Sequence, residues 1–304
     1  MARKLLPGQR AELYLIDVDT AEATLRYTSH TMLFEAPNWS PDGLSLFVNG
    51  DGRLFRLGVD AGEPEEIDLA GVQEINNDHV ISPDGRTAYV SGEDGHIHGV
   101  DIAGGTSRQV TAERGMNFRH YLHGISPDGQ TLAYIGLGVG HAGAVRTNVH
   151  TIPAAGGPGL QLTDDRFPDD GAEFSPDGQW IYFNSERGSS VPGHAQLFRM
   201  PAAGGLTEQL SDDERVNWFP HPSPDGTRIA YVSFPPGTLG HPENVDVVVR
   251  LLDAHGAIRD LAEVFGGQGT MNVPSWDPGG TRIAIVAYPA GPGPGPVLQP
   301  GPRL

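Results

Sequence analysis

The chain contains no cysteine, which excludes disulfides and every metal site built on thiolates, and suits a reducing compartment. It also lacks any hydrophobic run approaching the roughly 20 residues that cross a bilayer. The opening, Met1-Ala2-Arg3-Lys4-Leu5-Leu6-Pro7-Gly8, is basic but has no apolar core of an export signal, so the expected location is the cytoplasm. Positive charge is scarce: 20 Lys and Arg stand against 38 Asp and Glu, a formal net charge of −18. A surface this acidic repels phosphate backbones and anionic headgroups, which argues against nucleic acid and membrane partners. No Gly-x-Ser-x-Gly elbow occurs, and Gly266-Gly267-Gln268-Gly269 precedes no helical pattern. Neither a serine-hydrolase nucleophile nor a phosphate loop is therefore indicated.

What is abundant is turn-forming residues, with 42 glycines and 26 prolines among 304 residues, too many for a helical protein. They are ordered. Ser-Pro-Asp-Gly occurs at Ser40, Ser82, Ser126, Ser175 and Ser223, and a degenerate sixth copy, Asp277-Pro278-Gly279-Gly280, follows Trp276. The spacing of 42 to 54 residues marks a repeat architecture. Pro presets φ at the first corner, Asp bonds back to the backbone, and Gly takes the positive φ that closes the turn. Around each turn lie an apolar segment before it, an alternating strand after it such as Arg228 to Val232, a third strand such as Gln196 to Met200, and a short fourth. Four strands per unit, each unit too small to bury both faces, describe a β-propeller blade. After Asp277 there is room for only one more strand, Arg282 to Tyr288, whereas Ala11 to Val18 and Ala23 to Tyr27 stand unassigned at the other end. The sequence therefore predicts an all-β, six-bladed propeller over 11–288, its last blade completed by the N-terminal strands. Residues 1–10 form a lead and 289–304 a disordered Pro/Gly-rich tail.

These turns, each preceded by an apolar segment often ending in an aromatic, resemble the WD40-like PD40 repeats of the TolB family of propellers. The likeness spans roughly residues 11 to 288. Three single-copy phrases, Val216 to His221, Gly237 to Pro242 with Asp246-Val247, and Phe265 to Trp276, are similar to those of small TolB-like bacterial proteins without an assigned activity. The resemblance implies the propeller and not the Tol-system role, because full TolB proteins carry an export signal and an N-terminal domain with no counterpart in this sequence. Oligogalacturonate lyases, seven-bladed propellers with similar turns whose central histidines hold a divalent metal, resemble it as a scaffold only.

The segments starting the inner strands differ from blade to blade and border the central channel, where ligands of such rings bind. Nine of the 12 histidines (30, 79, 96, 120, 123, 141, 194, 221 and 241) fall on or beside that rim. His79 and His123 stand three residues before their turn serines, and Glu173 and His221 two before theirs. Such a set could converge on one divalent ion, Zn²⁺, Mn²⁺ or Fe²⁺. The same histidines could equally donate to backbone carbonyls between blades. Asp170 and Glu173 are candidate general base and acid, against turn-capping and a solvated face. Asn77, His120, Tyr121, Asn217, Trp218, His241, Gln268 and Asn272 are candidate ligand-binding residues, with packing between blades the alternative for Trp218. The reading is a propeller that binds a small polar ligand, a saccharide or related metabolite, at a His/Asn-rich mouth. A metal-dependent lyase or hydrolase at the same place and a protein-interaction scaffold stand as alternatives.

Overall fold

In every full repeat the turn is held by the same bonds. The serine hydroxyl donates to the aspartate two residues on, at 2.5 to 2.6 Å, and accepts the backbone N–H five residues on, at 2.9 to 3.0 Å. The closing glycine sits at φ near +70°, which costs a residue without Cβ nothing.

The computed structural model describes residues 3–115, 117–139, 143–291 and 297–298. Two N-terminal strands, β1 (Ala11–Asp17) and β2 (Ala23–Ser29), precede the first full blade. Blade 1 comprises β3 (Glu35–Trp39), β4 (Ser45–Gly50), β5 (Arg53–Gly58) and β6 (Glu65–Ile67). Blade 2 comprises β7 (Ile75–Ile81), β8 (Thr87–Gly92), β9 (Ile97–Asp101) and β10 (Ser107–Gln109). In blade 3 are β11 (Arg119–Ile125), β12 (Thr131–Val139), β13 (Val145–Pro153) and β14 (Leu160–Gln161). Blade 4 holds β15 (Asp169–Phe174), β16 (Trp180–Ser185), β17 (Gln196–Pro201) and β18 (Glu208–Gln209). Blade 5 is larger: β19 (Val216–Pro222), β20 (Arg228–Phe234), β21 (Glu243–Asp253) and β22 (Ile258–Gly267). All pair antiparallel in sequence order.

Blade 6 closes the ring as the sequence predicts. β23 (Arg282–Ala287) pairs with β1, which pairs with β2, so the two ends of the chain share one sheet. Its inner strand is reduced to a single bridge between Trp276 and Ile283. Of the tail, Val297–Leu298 (β24) pairs with Ala262 and Glu263 of β22, whose long edge leaves backbone groups free to take another strand. The lead is tied down as well: Gln9 donates to the Tyr288 carbonyl at 2.9 Å and to Asn244 at 2.7 Å.

Core side chains lie between neighbouring blades. Phe47 and Leu54 of blade 1, for example, pack on Ile81, Val90 and Val100 of blade 2. Each blade therefore needs both neighbours, and the ring needs its closure. Leu13 in β1 is 2% exposed and Leu25 in β2 is 48% exposed. Leu13→Ala is expected to destabilise the protein by about 2–5 kcal/mol and Leu25→Ala to stay within about 0.5 kcal/mol, as measured by urea unfolding.

Candidate functional site

The inner strands of blades 1 to 5 each break register once, just upstream of the turn serine. A β-bulge leaves residues without a partner and re-aims their side chains. In blades 1, 4 and 5 the residue four before the serine takes positive φ: Ala36 at 53°, Gly171 at 66°, Phe219 at 57°. At Gly171 space adds to the requirement, because a Cβ would lie 3.1 Å from the Phe219 Cα. In blade 2 the break spans 76–78, so Asp78 is unpaired while His79 is back in register opposite Val90. In blade 3 the skipped residue is His123 itself. Two histidines at the same count from their serines thus face different ways.

Two of the residues the bulges release, Asp78 and His123, form a charged cluster across the ring with Asp170, which is in register opposite Asn184, and with a loop histidine, His241. His123 of blade 3 approaches the Asn272 carbonyl in blade 6, its opposite number, at 3.2 Å through Nδ1, so the segment around Asn272 reaches across the bore. Its Nε2 lies 2.9 Å from Asp170 Oδ1 in blade 4. A carbonyl and a carboxylate are both acceptors, so both ring nitrogens donate and His123 is an imidazolium. Burial alone would lower its pKa, but the charges of Asp78 and Asp170 reverse this and raise it to about 9. Asp170 accepts the Gly171 N–H at 2.8 Å, and its Oδ2 lies 3.5 Å from His241 Nε2 on the loop between β20 and β21. Burial opposes ionisation of Asp170, yet the bonds from the two histidines hold its pKa below the usual carboxylate range. His241 turns its Nδ1 to Gln268 and packs edge-on against Trp218 at 4.5 Å. Burial again works against the charged form, and Asp170 raises the His241 pKa. Asp78 completes the cluster: burial, partly offset by His123, pushes its carboxyl up to about 6.

A second pair lies alongside. Glu173 Oε2 is 2.6 Å from His221 Nδ1, while His221 Nε2 meets the Met271 carbonyl at 3.1 Å. Burial raises the Glu173 pKa against the pull of His221.

Of the predicted residues the structure brings together His123, Asp170, Trp218, His241 and Gln268, with Glu173 and His221 adjoining; Asn272 takes part through its carbonyl while its Oδ1 accepts the Gly269 N–H at 2.8 Å, and Tyr121 packs on the apolar core between blades 3 and 4. Others lie elsewhere. His79 is fully buried with Nε2 3.3 Å from the Phe47 carbonyl of blade 1, and burial lowers its pKa to about 4. His120 pairs with the Gly95 carbonyl at 2.7 Å and packs on Phe118 and Tyr134. Asn217 is sealed between blades 4 and 5, donating to Gln196 at 3.0 Å and accepting from Ser233 at 2.7 Å. Asn77 lines a side chamber next to the cluster. His141 lies outside the described residues.

The expected metal set of His79, His123 and His221 does not form. His79 points between blades, and the other two spend both ring nitrogens on protein acceptors, whereas a metal ligand needs a free lone pair. Among the described residues no group of three or more His, Asp or Glu is arranged to hold a metal ion. Asp78 is the member that sequence reasoning missed. Its signal was a carboxylate within the inner strand Ile75–Ile81, next to a histidine that drew attention instead.

The His123 pKa fixes the sign of a pH effect. Its folded value lies above the unfolded one, near 6.5, so its stabilisation is complete below about pH 6.5 and is lost as pH rises through about 9. Urea midpoints are expected to fall across that window by an equivalent on the order of a few kcal/mol, and the fall should be much reduced in His123→Gln.

Comparison with known proteins agrees with this architecture. The chain is 40% identical to an uncharacterized protein of Agrobacterium fabrum over 263 residues, covering 84% of this chain and 85% of the relative. A solved structure described as a putative TolB from Agrobacterium tumefaciens superposes with a TM-score of 0.83 at 37% identity, covering 92% of this chain and 98% of that one. An oligogalacturonate lyase in complex with manganese shares the fold at a TM-score of 0.56 and 14% identity, covering 87% and 75% of the two chains. The residues of the cluster described above do not offer a metal site comparable in chemistry, because their nitrogens donate. With the TolB beta propeller domain model (PD40) matching residues 81–239, the chain belongs to the family of TolB-like β-propellers.

Proposed function

We propose that this propeller binds a small polar ligand, a saccharide or related metabolite, where the His123–Asp170–His241 cluster meets solvent. One observation carries the reading: the network is sealed at one end and open at the other. The His123 side chain is 4% exposed, whereas those of Asp170 and His241 are 21% and 30% exposed. The exposed end leaves atoms of Asp170 and His241 within reach of a ligand, and paired charges removed from water are by themselves a poor source of stability. Titratable groups perturbed by one another and by burial, as Asp78, His123 and Asp170 are, mark candidate sites of function. The Trp218 ring, against His241, lies beside the polar atoms of His241 and Gln268, the mixture of apolar and polar surface that sugar rings and related polar metabolites require.

A second reading, catalysis on a carbohydrate, is favoured by Asp78. A carboxyl with a pKa near 6 beside an imidazolium is poised for proton transfer, while Asp170, held ionised, would orient His123 and His241. The fold shared with oligogalacturonate lyase is compatible with this and supplies no ligand of its own.

A thermal-shift screen of neutral sugars, uronates and their oligomers tests the proposal. A ligand at a hundred times its Kd adds about 2.7 kcal/mol, a rise of several degrees in Tm. That rise should vanish in His241→Ala and Asp170→Asn. A rise that persists in both, or no rise with any compound, refutes it. If the ligand is also turned over, Asp78→Asn should keep the thermal shift and lose the product.

A further inference from the structure

The outer edge of blade 5 differs from those of the other full blades. β6 and β10 have three residues each and β14 and β18 two, so the rows of backbone groups they present are short. β22 has ten. At its far end the Phe265 carbonyl accepts the Tyr288 N–H at 2.7 Å, and in its middle Ala262 and Glu263 pair with Leu298 and Val297. Ile258 to Leu261 have no partner on that side among the described residues.

The occupant already seated there makes a poor strand. Pro296 and Pro300 carry no N–H, and the run between them, Val297-Leu298-Gln299, is the longest proline-free stretch after Pro292. Val297 borders a half-open groove of about 700 Å³ between blades 5 and 6, lined on its apolar side by Val247, Val264, Phe265 and Ala287. The charged groups in this lining are four carboxylates, Glu12, Asp246, Asp260 and Glu263, against one guanidinium, Arg215. Arg10 and Arg250 pair with Glu12 and Asp260, and Arg215 is bonded to the Ser233 hydroxyl and carbonyl at 3.0 and 2.8 Å. Exposed Asp246 has no ion pair among the described residues. A long open edge, an adjoining groove and an excess of negative charge thus coincide.

We propose that β22 is a strand-addition site for an extended, basic peptide segment of another protein, and that the tail is a weak built-in occupant which this segment displaces. In the register of the tail, a Lys or Arg in the place of Val297 stands opposite Glu263, and another three residues on stands opposite Asp260, whose side chain is 42% exposed. Main-chain bonds along Ile258 to Val264 supply the affinity, and the charges select the partner. A second copy of the chain is a worse match, since each copy carries a net charge of −18. The site is on the outermost strand of a blade, apart from the mouth at His241 and Asp170.

Fluorescence anisotropy with the full chain at low salt and pH 7 tests this. The probe is a labelled heptapeptide, Thr-Lys-Val-Val-Arg-Thr-Val, written to lie opposite residues 264 to 258. One control peptide replaces Lys and Arg by Glu, and another replaces both central Val by Pro. Each control should bind at least about tenfold more weakly than the probe. Because the chain has no cysteine, Glu263→Cys combined with Val297→Cys allows a single disulfide, which fastens the tail over the edge. The oxidised form should bind the probe at least about tenfold more weakly than the same protein after reduction. Should the bond not form, Val297→Pro combined with Leu298→Pro carries the test, and binding should tighten by about threefold or more as the tail is released. No binding of the probe, equal binding of either control, or an affinity that none of these changes to the tail alters overturns the proposal. A double-proline variant that dimerises in sedimentation and leaves the probe unbound identifies a second copy as the occupant, and overturns it equally.

Discussion

Charge carried into the bore of a ring must be paired there, and most of what distinguishes this propeller follows from how Asp170 is paired. Its carboxylate collects the Gly171 N–H, the His123 imidazolium and, at longer range, the His241 ring. His123 in turn reaches the Asn272 carbonyl across the ring. Inner strands of blades 3 and 4, the closing blade and a loop of blade 5 are thereby joined through polar contacts, beside the rings of Trp218 and Phe219. An uncompensated carboxylate in that place would be too costly to keep ionised. The cluster is consistent only as a whole.

The device that brings Asp78 and His123 inward is the β-bulge in their inner strands. An unbroken strand alternates its side chains between two faces, each packed against a neighbouring blade. One unpaired residue breaks that alternation and aims a side chain elsewhere. Where the break falls decides which residue is released: Asp78 rather than His79 in blade 2, and His123 in blade 3. Ring nitrogens at the centre then face carbonyls and carboxylates, which makes them donors. The lead adds a further polar region next door, where Arg3 is held by Glu35 and Glu243.

Much of this was legible beforehand. The repeated Ser-Pro-Asp-Gly turn reported the blade count, because Pro, Asp and Gly act through local geometry that no tertiary context needs to supply. The surplus of strands at one terminus and the deficit at the other reported the closure. Asp170, Trp218, His241 and Gln268 were recognisable as unlike their counterparts in other blades, and the first, second and fourth each approach His241. The convergence of His79 with His123 was not legible, since counting back from the serine assumes that all inner strands share one register. Asn217 and His120 read as site residues because amides and imidazoles look alike whether they face a ligand or a backbone carbonyl.

The sequence by itself therefore determined what short-range chemistry controls: turn type, strand alternation, number of repeats and the way the ends share a blade. Tertiary structure alone decided which side chains reach the axis and in what protonation state. A bulge shifts orientation without changing composition, and a histidine becomes an imidazolium or a neutral base according to the acceptors that distant blades set against its two nitrogens.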